Sequence, residues 1–375
     1  MRSYGVRVNT KQALSGLLKT RIAKVALEIP SAIGASTSAI RPSASGAANF
    51  SDGRFHNSEP SSAFTTGDAQ TSMLSSVLKR RNIGRPSRRI PLATPEVPAD
   101  AAELAVTWYG HASALIEIDG RRVLADPVWS HRVSPSSVVG PARLHPNPVG
   151  VEALPRVDAI VISHDHYDHL DQATVASLVE HQDAPFLVPL GIGAHLRGWG
   201  VDESRIVELD WGKSTSVAGL TITCTESRHF SGRGLVRNTT LWSSWAIVGP
   251  TRRAYFGGDT GYTGRFVDIG AELGPFDLTL LPIGAYDDHW PDIHMNPEEA
   301  LRSHADLCRG DAGYGLFIPI HWATFNLAFH SWSEPVERAT AAAEAAGTSL
   351  YVPKPGERVD ALRPAEQDQW WSNIA

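Results

Sequence analysis

The chain has 375 residues, with 34 Lys and Arg against 40 Asp and Glu, so its formal charge is −6 when histidine is neutral. This acidic balance argues against a general nucleic-acid-binding protein. Apolar types make up 42% of the residues, and with 32 glycines this is the level of an ordinary globular protein. The only cysteines, Cys224 and Cys308, cannot build a disulfide framework or a cysteine-rich zinc site. Any metal must therefore be bound by histidines and carboxylates.

Residues 1–102 are predicted to form an N-terminal extension that is partly disordered or membrane-associating. Residues 1–30 carry six basic side chains before the first acid, Glu28, interleaved with aliphatic residues. This pattern is typical of a basic amphipathic helix on an anionic membrane surface, but it also fits an unordered tail or a helix docked on the body. Residues 31–48, rich in Ser and Ala, and the basic run 79–89 have the composition of linkers without a core to bury.

The sequence contains no apolar stretch of membrane-spanning length and no recognisable secretory signal. We therefore expect a cytoplasmic protein whose contact with a membrane, where it occurs, is peripheral.

The folded body is predicted to begin near residue 103 with a β-hairpin. Residues Val106 to Ile118 and Arg122 to Asp126 flank Asp119-Gly120, a dipeptide typical of a two-residue turn with positive φ angles. Eight further apolar runs are predicted strands: Ala159 to Ile162, Phe186 to Leu190, Arg205 to Leu209, Leu220 to Cys224, Leu241 to Val248, Arg253 to Phe256, Asp277 to Ile283 and Leu316 to Ile320.

Three segments are predicted helices: Gln172 to His181, Asn296 to Leu307 with Asn296 as N-cap, and Pro335 to Ala346 ending at Gly347. Strands with interspersed helices predict an α/β (α+β) protein in which two packed sheets are flanked by helices.

Fourteen of the 15 histidines lie between residues 111 and 330, so the chemistry is expected in this window. The segment DAIVISHDHYDHLD places four potential ligands directly after a predicted strand: His164, His166, Asp168 and His169. Alternate residues of an extended segment project to the same side, so His164 and His166 can share one ion while Asp168 and His169 address a second. Imidazole and carboxylate are the ligands expected for zinc when thiolates are absent.

Three later residues, each following a predicted strand, complete a set for two ions: His229, Asp259 and His321. Gly257 and Gly258 let the backbone approach the metals closely, and the carboxylate of Asp259 can bridge two cations with its two oxygens. The sequence therefore predicts seven metal ligands.

The order H-x-H-x-D-H, followed by His, Asp and His at strand ends, resembles the metallo-β-lactamase superfamily, whose fold is an αβ/βα four-layer sandwich. A narrower resemblance covers residues 104–330. The segments that carry it are WYGHASALIEIDG, LADPVWSHRVSP, VGPARLHPNPV, ISHDHYDHLD, FGGDTGY, GPFDLTLLPIGAY and the H-x-x-P-E-E-A that begins at His294. This part of the chain is similar to the zinc-dependent N-acylphosphatidylethanolamine-hydrolysing phospholipase D family. FSDGRFHN (Phe50 to Asn57) resembles an outlying element of that family. The resemblance implies a metallo-β-lactamase-fold hydrolase domain at residues 103–375.

The resemblance also implies how the ligands divide: His164, His166 and His229 bind one zinc, Asp168, His169 and His321 bind the other, and Asp259 binds both. Two Zn2+ per chain would lower the pKa of a shared water and give a bridging hydroxide. The implied reaction is attack on the phosphorus of N-acylphosphatidylethanolamine, a related phospholipid or a small phosphodiester. Its products would be phosphatidic acid and an N-acylethanolamine.

We expect Asp168, Asp259 and His294 to act in catalysis. The family's match to His294 lies beside the metals, which implies contact with the phosphate or protonation of the leaving oxygen; the alternative is a histidine that only shapes the loop before a helix. His111 and Asp126 resemble positions that orient metal ligands. Since an Asp before Pro is also a common turn residue, a role in the fold alone is the alternative.

The competing enzyme hypothesis keeps the metals but hydrolyses a lactone, a β-lactam or another carboxylic ester or amide, because the metal chemistry is not specific for phosphorus. A binding protein without turnover would normally lack ligands, and none is missing. No nucleic-acid partner is expected from the acidic chain. The sequence leaves open the oligomeric state, with a homodimer as one form, and the presence of iron or manganese at one site.

Overall fold

The computed structural model describes residues 29–61 and 83–375. The predictions for residues 1–28 and for the first part of the basic run, up to residue 82, lie outside these ranges. Within them, no helix is long and apolar enough to cross a membrane.

Two mixed sheets face each other in the body. The first contains seven strands: β3 (Leu104–Gly110), β4 (Ser113–Ile118), β5 (Arg121–Ala125), β6 (Ala159–Val161), β7 (Phe186–Pro189), β8 (Ile206–Leu209) and β15 (Arg358–Asp360). The second contains six: β9 (Ser214–Val217), β10 (Leu220–Thr225), β11 (Ser244–Val248), β12 (Arg253–Phe256), β13 (Leu278–Pro282) and β14 (Leu316–Ile320). A separate small hairpin pairs β1 (Phe50–Ser51) with β2 (Arg54–Phe55).

Both sheets change from antiparallel to parallel pairing part of the way across. In the first, the order is β15-β3-β4-β5-β6-β7-β8, and the pairs from β5 to β8 are parallel. In the second, the order is β14-β13-β12-β11-β10-β9, and the pairs from β12 to β14 are parallel. The carboxyl ends of parallel strands lie at one edge of each sheet, where loops can supply functional side chains.

Six helices have their bounds within the described residues: α1 (Thr37–Ala44), α2 (Gln172–His181), α3 (Ile192–Gly198), α4 (Arg265–Leu273), α5 (Pro297–Leu307) and α6 (Glu334–Ala346). One face of the first sheet, including Leu124 and Ile160, forms an apolar cluster with α2 and α3. The opposite face, including Val123, joins a larger cluster with the second sheet and α4 to α6. This arrangement confirms the expected αβ/βα sandwich.

Several elements that sequence motifs predicted are present in the structure. Helix α2 has the predicted bounds, and Asn296 begins α5 with a capping box, in which its side chain accepts from Glu299 N at 2.9 Å and Glu299 Oε2 accepts from Asn296 N at 3.0 Å. Asp119 and Gly120 have φ angles of 48° and 74°, as the predicted turn requires. The sequence did not predict β9, β15, α3 or α4.

The prediction of one strand from Val106 to Ile118 is wrong. The chain turns at His111, whose φ is 54°, so that β3 and β4 form a hairpin of their own. A continuous apolar run does not mark this turn, because both strands are buried on both faces.

The prediction that residues 31–48 form a linker without a core is also wrong. Helix α1 begins at Thr37, and its Ala44 packs with Phe55, Leu241 and Trp242 in a buried apolar cluster. The second predicted linker is anchored over its described part, since Ser87 N donates to Ile374 O. Small residues such as alanine form close contacts without a strong hydrophobic signal in the sequence.

The stability of α5 should depend on pH through His304. This residue is fully buried, its Nδ1 lies 2.8 Å from Thr279 Oγ1, and burial lowers its pKa to about 4. Between about pH 6.5 and pH 4 the unfolded chain binds a proton that the folded chain does not, so stability falls as the pH falls through this range. The difference between the pKa of His304 in the unfolded chain and in the folded chain corresponds to about 3 kcal/mol of folding free energy.

We compare the free energy of unfolding of wild type with that of His304→Gln, which has no group that titrates here. The difference between the two proteins should decrease by up to about 3 kcal/mol between pH 7 and pH 4. Urea unfolding at a series of pH values measures this difference. A difference that does not change with pH would contradict the assignment.

Candidate metal centre

The first group of converging side chains comes from the loops that follow three strands: His164, His166, His229 and Asp259. His166 Nδ1 lies 2.8 Å from His164 Nε2 and 3.3 Å from His229 Nε2. Asp259 Oδ2 lies 3.9 Å from His164 Nε2 and 3.8 Å from His229 Nε2. Three imidazole nitrogens and a carboxylate oxygen around one point form the arrangement that a metal ion requires.

Hydrogen bonds on the far side of the rings direct their lone pairs into this group. His229 Nδ1 lies 2.8 Å from Ile293 O and must donate to it, so Nε2 of the neutral ring carries the lone pair. Ser163 Oγ donates to Asp126 Oδ2 over 2.5 Å. Because its single proton is used there, Ser163 Oγ accepts from His164 Nδ1 at 2.9 Å, and His164 Nε2 also carries a lone pair.

The second group contains Asp168, His169 and His321, with His111 beside them. Asp168 Oδ2 lies 3.5 Å from His169 Nε2 and 3.4 Å from His321 Nε2. Asp259 lies between the two groups, since its Oδ2 is 3.1 Å from His169 Nε2 and its Oδ1 is 3.0 Å from His321 Nε2. The structure thus gathers all seven predicted ligands in two neighbouring groups, with Asp259 between them.

The two residues predicted to orient ligands each contact one. Asp126 Oδ2 accepts from His169 Nδ1 at 2.6 Å, which leaves His169 Nε2 to face the centre. His111 Nε2 donates to Asp168 Oδ2 at 2.8 Å. The backbone of His111 is held in turn, because its N–H donates to Thr324 Oγ1 at 2.6 Å and its carbonyl oxygen accepts from His321 N at 3.0 Å.

His294 lies at the rim of the centre. Its Nδ1 is 3.9 Å from Asp259 Oδ2, and its ring centroid is 5.1 Å from that of His229 and 5.2 Å from that of His321. Burial lowers its pKa to about 4. His294 therefore lies beside the predicted ligands, and with Asp259 and His321 it forms a third group that could hold a metal ion.

The electrostatics of the centre favour cations. Burial alone would raise the pKa of Asp259, but His169 and His321 hold it well below its usual value. Burial would likewise lower the pKa of His321, but Asp259 and Asp168 raise it to about 9. The carboxylates thus stay ionised in the interior and attract positive charge, whether from protonated imidazoles or from metal ions.

Several polar atoms of the centre have no hydrogen-bond partner among the described residues, although they are buried: His169 Nε2, His321 Nε2 and Asp259 Oδ1. A buried polar atom without a partner is costly. His321 Nε2 lies 3.0 Å from Asp259 Oδ1, and His169 Nε2 lies 3.1 Å from the other oxygen of this carboxylate, Oδ2. Ligation of metal between these groups would therefore satisfy all three unpartnered atoms. The donor set of nitrogen and oxygen atoms fits zinc and related divalent ions.

Two residues that no sequence motif assigned to the site, Ser163 and Asp165, fix the metal-binding loops. Ser163 joins Asp126 to His164, and Gly258, with a φ of 57°, packs so closely on it that a Cβ would lie 2.4 Å from Ser163 Cβ. Asp165 faces away from the ligands and accepts from Gly232 N at 2.6 Å and Thr240 Oγ1 at 2.9 Å. The one sequence signal for the orientation of Asp165 is its place between His164 and His166, because adjacent residues of an extended segment face opposite sides.

The Ser163 hydroxyl should matter for metal binding more than for folding. Its loss in Ser163→Ala leaves His164 Nδ1 without its acceptor, so we expect metal affinity to fall about 10- to 100-fold. Chelator competition measures this change, with Ser303→Ala, another fully buried serine, as the control. Equal affinities of the two variants would contradict this role.

The comparisons with known proteins agree with this site. The family described as "Beta-lactamase superfamily domain" matches residues 121–322, more than half of the chain. An uncharacterized protein of Mycobacterium tuberculosis is 58% identical, covering 91% of this chain and 92% of the relative. N-acyl-phosphatidylethanolamine-hydrolyzing phospholipase D 1 of Caenorhabditis elegans is 39% identical, covering 71% of each chain.

Among solved structures, isothiocyanate hydrolase from Delia radicum gut bacteria is 21% identical, with a TM-score of 0.54 over 70% of this chain and 100% of the other. This likeness supports the sandwich fold alone. Together with the family match and the two groups of histidines and aspartates, these findings show that the chain belongs to the metallo-β-lactamase superfamily, as a metal-dependent hydrolase.

Proposed function

We propose that the protein is a dizinc phosphodiesterase of the phospholipase D type, which cleaves N-acylphosphatidylethanolamine or a related phospholipid to phosphatidic acid and an N-acylethanolamine. The observation that carries the proposal is the pair of ligand groups with Asp259 between them. The nematode phospholipase D, at 39% identity, supports this substrate class over others.

The ligands would divide by group: His164, His166, His229 and Asp259 for one zinc, and Asp168, His169, His321 and Asp259 for the other. When bound, a pair of zinc ions makes water nucleophilic at neutral pH and neutralises charge that develops on phosphate oxygens. Asp168 is bound by His111 and stays ionised, because neighbouring histidines keep its pKa well below the usual value. It can therefore accept a hydrogen bond from the attacking water and orient it.

We expect Asp259→Asn to lose hydrolysis of N-acylphosphatidylethanolamine at least about 100-fold and to lose zinc, because an amide cannot bind two cations with two anionic oxygens. The measurement is zinc content together with release of phosphatidic acid in detergent micelles. Wild type that binds two zincs without cleaving the lipid would contradict the substrate assignment. Hydrolysis of a lactone, β-lactam or other ester would then identify the alternative class.

In this proposal His294 contacts the phosphate or protonates the leaving oxygen. Because burial lowers its pKa to about 4, the acid role requires that the charge of a bound phosphate raise that pKa. Its Nδ1 lies 3.9 Å from Asp259 Oδ2, outside the two four-residue groups but within a third, smaller group with Asp259 and His321. This place beside the predicted ligands supports a role with substrate.

We expect His294→Ala to keep its zinc and to lose about 100-fold in kcat. If His294 is the acid, the loss is much larger for an alkyl leaving group than for 4-nitrophenolate. An equal loss for both indicates phosphate contact, and unchanged turnover would remove His294 from the mechanism.

We also propose that the protein contacts a lipid surface through the loop of residues 230–238, which begins beside this site. Phe230 lies 4.5 Å from the ring of His166, and the base of the loop is closed by the bond from Asn238 N to Ser231 O at 3.0 Å. At its tip, Leu235 is fully exposed and Val236 is 47% exposed. Aliphatic side chains exposed this far favour insertion into an apolar phase.

A second exposed pair, Val138 and Val139, lies on a neighbouring loop. Ser134 to Ser137 of that loop and Arg233 of the first loop line one cleft of about 230 Å3, so the two loops are neighbours on the surface. Arg237, stacked 5.1 Å from Phe230, adds positive charge that attracts anionic lipids.

Leu235→Asp should therefore weaken sedimentation with phosphatidylcholine vesicles containing phosphatidylglycerol by about 10-fold or more, given about 1.5–3 kcal/mol for burying one leucine. Hydrolysis of a soluble phosphodiester should not change, since Leu235 lies outside the ligand groups. Val267→Asp, at an exposed site on α4, is the control. Equal vesicle binding by both variants and wild type would contradict the proposed surface.

A further inference from the structure

The backbone of the ligand His229 is bound by a side chain from the N-terminal extension. Asn57 Oδ1 accepts from His229 N at 3.1 Å, and Asn57 Nδ2 donates to His229 O at 2.8 Å. The orientation of the amide is fixed, because Trp242 Nε1, which can only donate, also binds Oδ1 at 3.0 Å. Asn57 thus pairs with His229 as a neighbouring strand would.

His229 lies in the connection between β10 and β11, outside a regular strand, although Arg228 before it forms an isolated bridge with Gly261. Other ligands are fixed by their own loops and by strand ends: His169 N donates to His166 O at 3.0 Å, and His321 N donates to His111 O at 3.0 Å. Both polar backbone groups of His229, by contrast, are bound by Asn57. The ring is then fixed from the other side, through Nδ1 and Ile293 O.

The extension is anchored on both sides of Asn57. Phe55 is fully buried against Leu241 and Trp242. Glu59 Oε1 accepts from Thr263 Oγ1 at 2.6 Å and from Gly264 N at 3.0 Å. Asn57 is therefore held rigidly enough to position the residue that it binds.

We propose that Asn57 is a positioning residue of the metal centre, which sets the backbone of His229 so that its Nε2 reaches the first metal. Residues 55–59 of the extension are then part of the metal-binding unit, although every predicted ligand lies beyond residue 163. This inference concerns metal binding alone and does not depend on the substrate proposed above.

The test compares full-length Asn57→Ala with wild type after metal removal and reloading with Co2+. We expect the affinity for Co2+ of one of the two sites, measured by chelator competition, to fall about 10- to 100-fold. The visible spectrum of the bound Co2+ should change, because the ligand geometry changes. Ser43→Ala is the matched control, since it removes another bond between the extension and the body, to Glu208 Oε2 at 3.1 Å, far from the ligands.

Thermal unfolding of the metal-free proteins separates positioning from folding. If Asn57→Ala loses only metal-free stability and keeps the wild-type affinity and spectrum, the proposal is wrong and Asn57 is a fold residue. If Asn57→Ala does not fold, Asn57→Asp decides, because it keeps the acceptor for His229 N and Trp242 Nε1 but lacks the donor to His229 O. Wild-type Co2+ affinity and spectrum in Asn57→Asp would equally overturn the proposal.

Discussion

The buried carboxylate of Asp126 is the junction on which the geometry of the centre depends. It accepts from Ser163 N at 2.7 Å, Ser163 Oγ at 2.5 Å and His169 Nδ1 at 2.6 Å, and it directly follows β5, which pairs in parallel with β6. Asp126 thus links the end of β5 to the segment that follows β6. It also fixes which ring nitrogen carries the proton in two predicted ligands, His169 directly and His164 through Ser163. The direction of the metal-facing lone pairs therefore depends on the register between β5 and β6 of the first sheet.

A second junction joins two of the three loops that carry the first group of ligands, the H-x-H segment and the loop of His229. The guanidinium of Arg233 is 6% exposed and donates to the carbonyls of Asp165 and Leu170, each at 2.7 Å, and to that of Ala32 at 2.7 Å and 2.9 Å. A buried cation bound by three carbonyls is stable only while all three segments keep their places. The loop after His229, the H-x-H segment and the extension consequently depend on one another.

Local patterns explain what could be predicted from the sequence. Strands such as β12 and β14 and helix α2 have the predicted bounds because apolar runs and charged or glycine-rich ends mark them. The ligands were recognisable because four of them occur within six residues and the others follow strands. Helices α3 and α4 contain internal glycines, at Gly193 and Gly270, which weaken a helical pattern.

The contacts that support the ligands could not be predicted, because they join residues far apart in the chain. Ala32 to Arg233, Asn57 to His229 and Ser163 to Asp126 each depend on tertiary packing. The extension was judged by composition, which does not distinguish a solvated linker from a segment that fits small side chains and a few hydrogen bonds against a body.

The C-terminal tryptophans, whose role no sequence pattern indicated, pack near the second group of ligands. Trp370 lies 5.5 Å from Trp322, which stacks on Trp108 at 6.0 Å with nearly parallel rings. Trp108 Nε1 donates to His111 O at 2.8 Å, and Trp322 directly follows the ligand His321. Aromatic packing from the end of the chain therefore supports the second group of ligands, as the extension supports the first. Because Asn57 contacts the backbone of His229 and Trp370 packs on the residue after His321, we expect a bound metal to stabilise these segments together with the loops that carry its ligands.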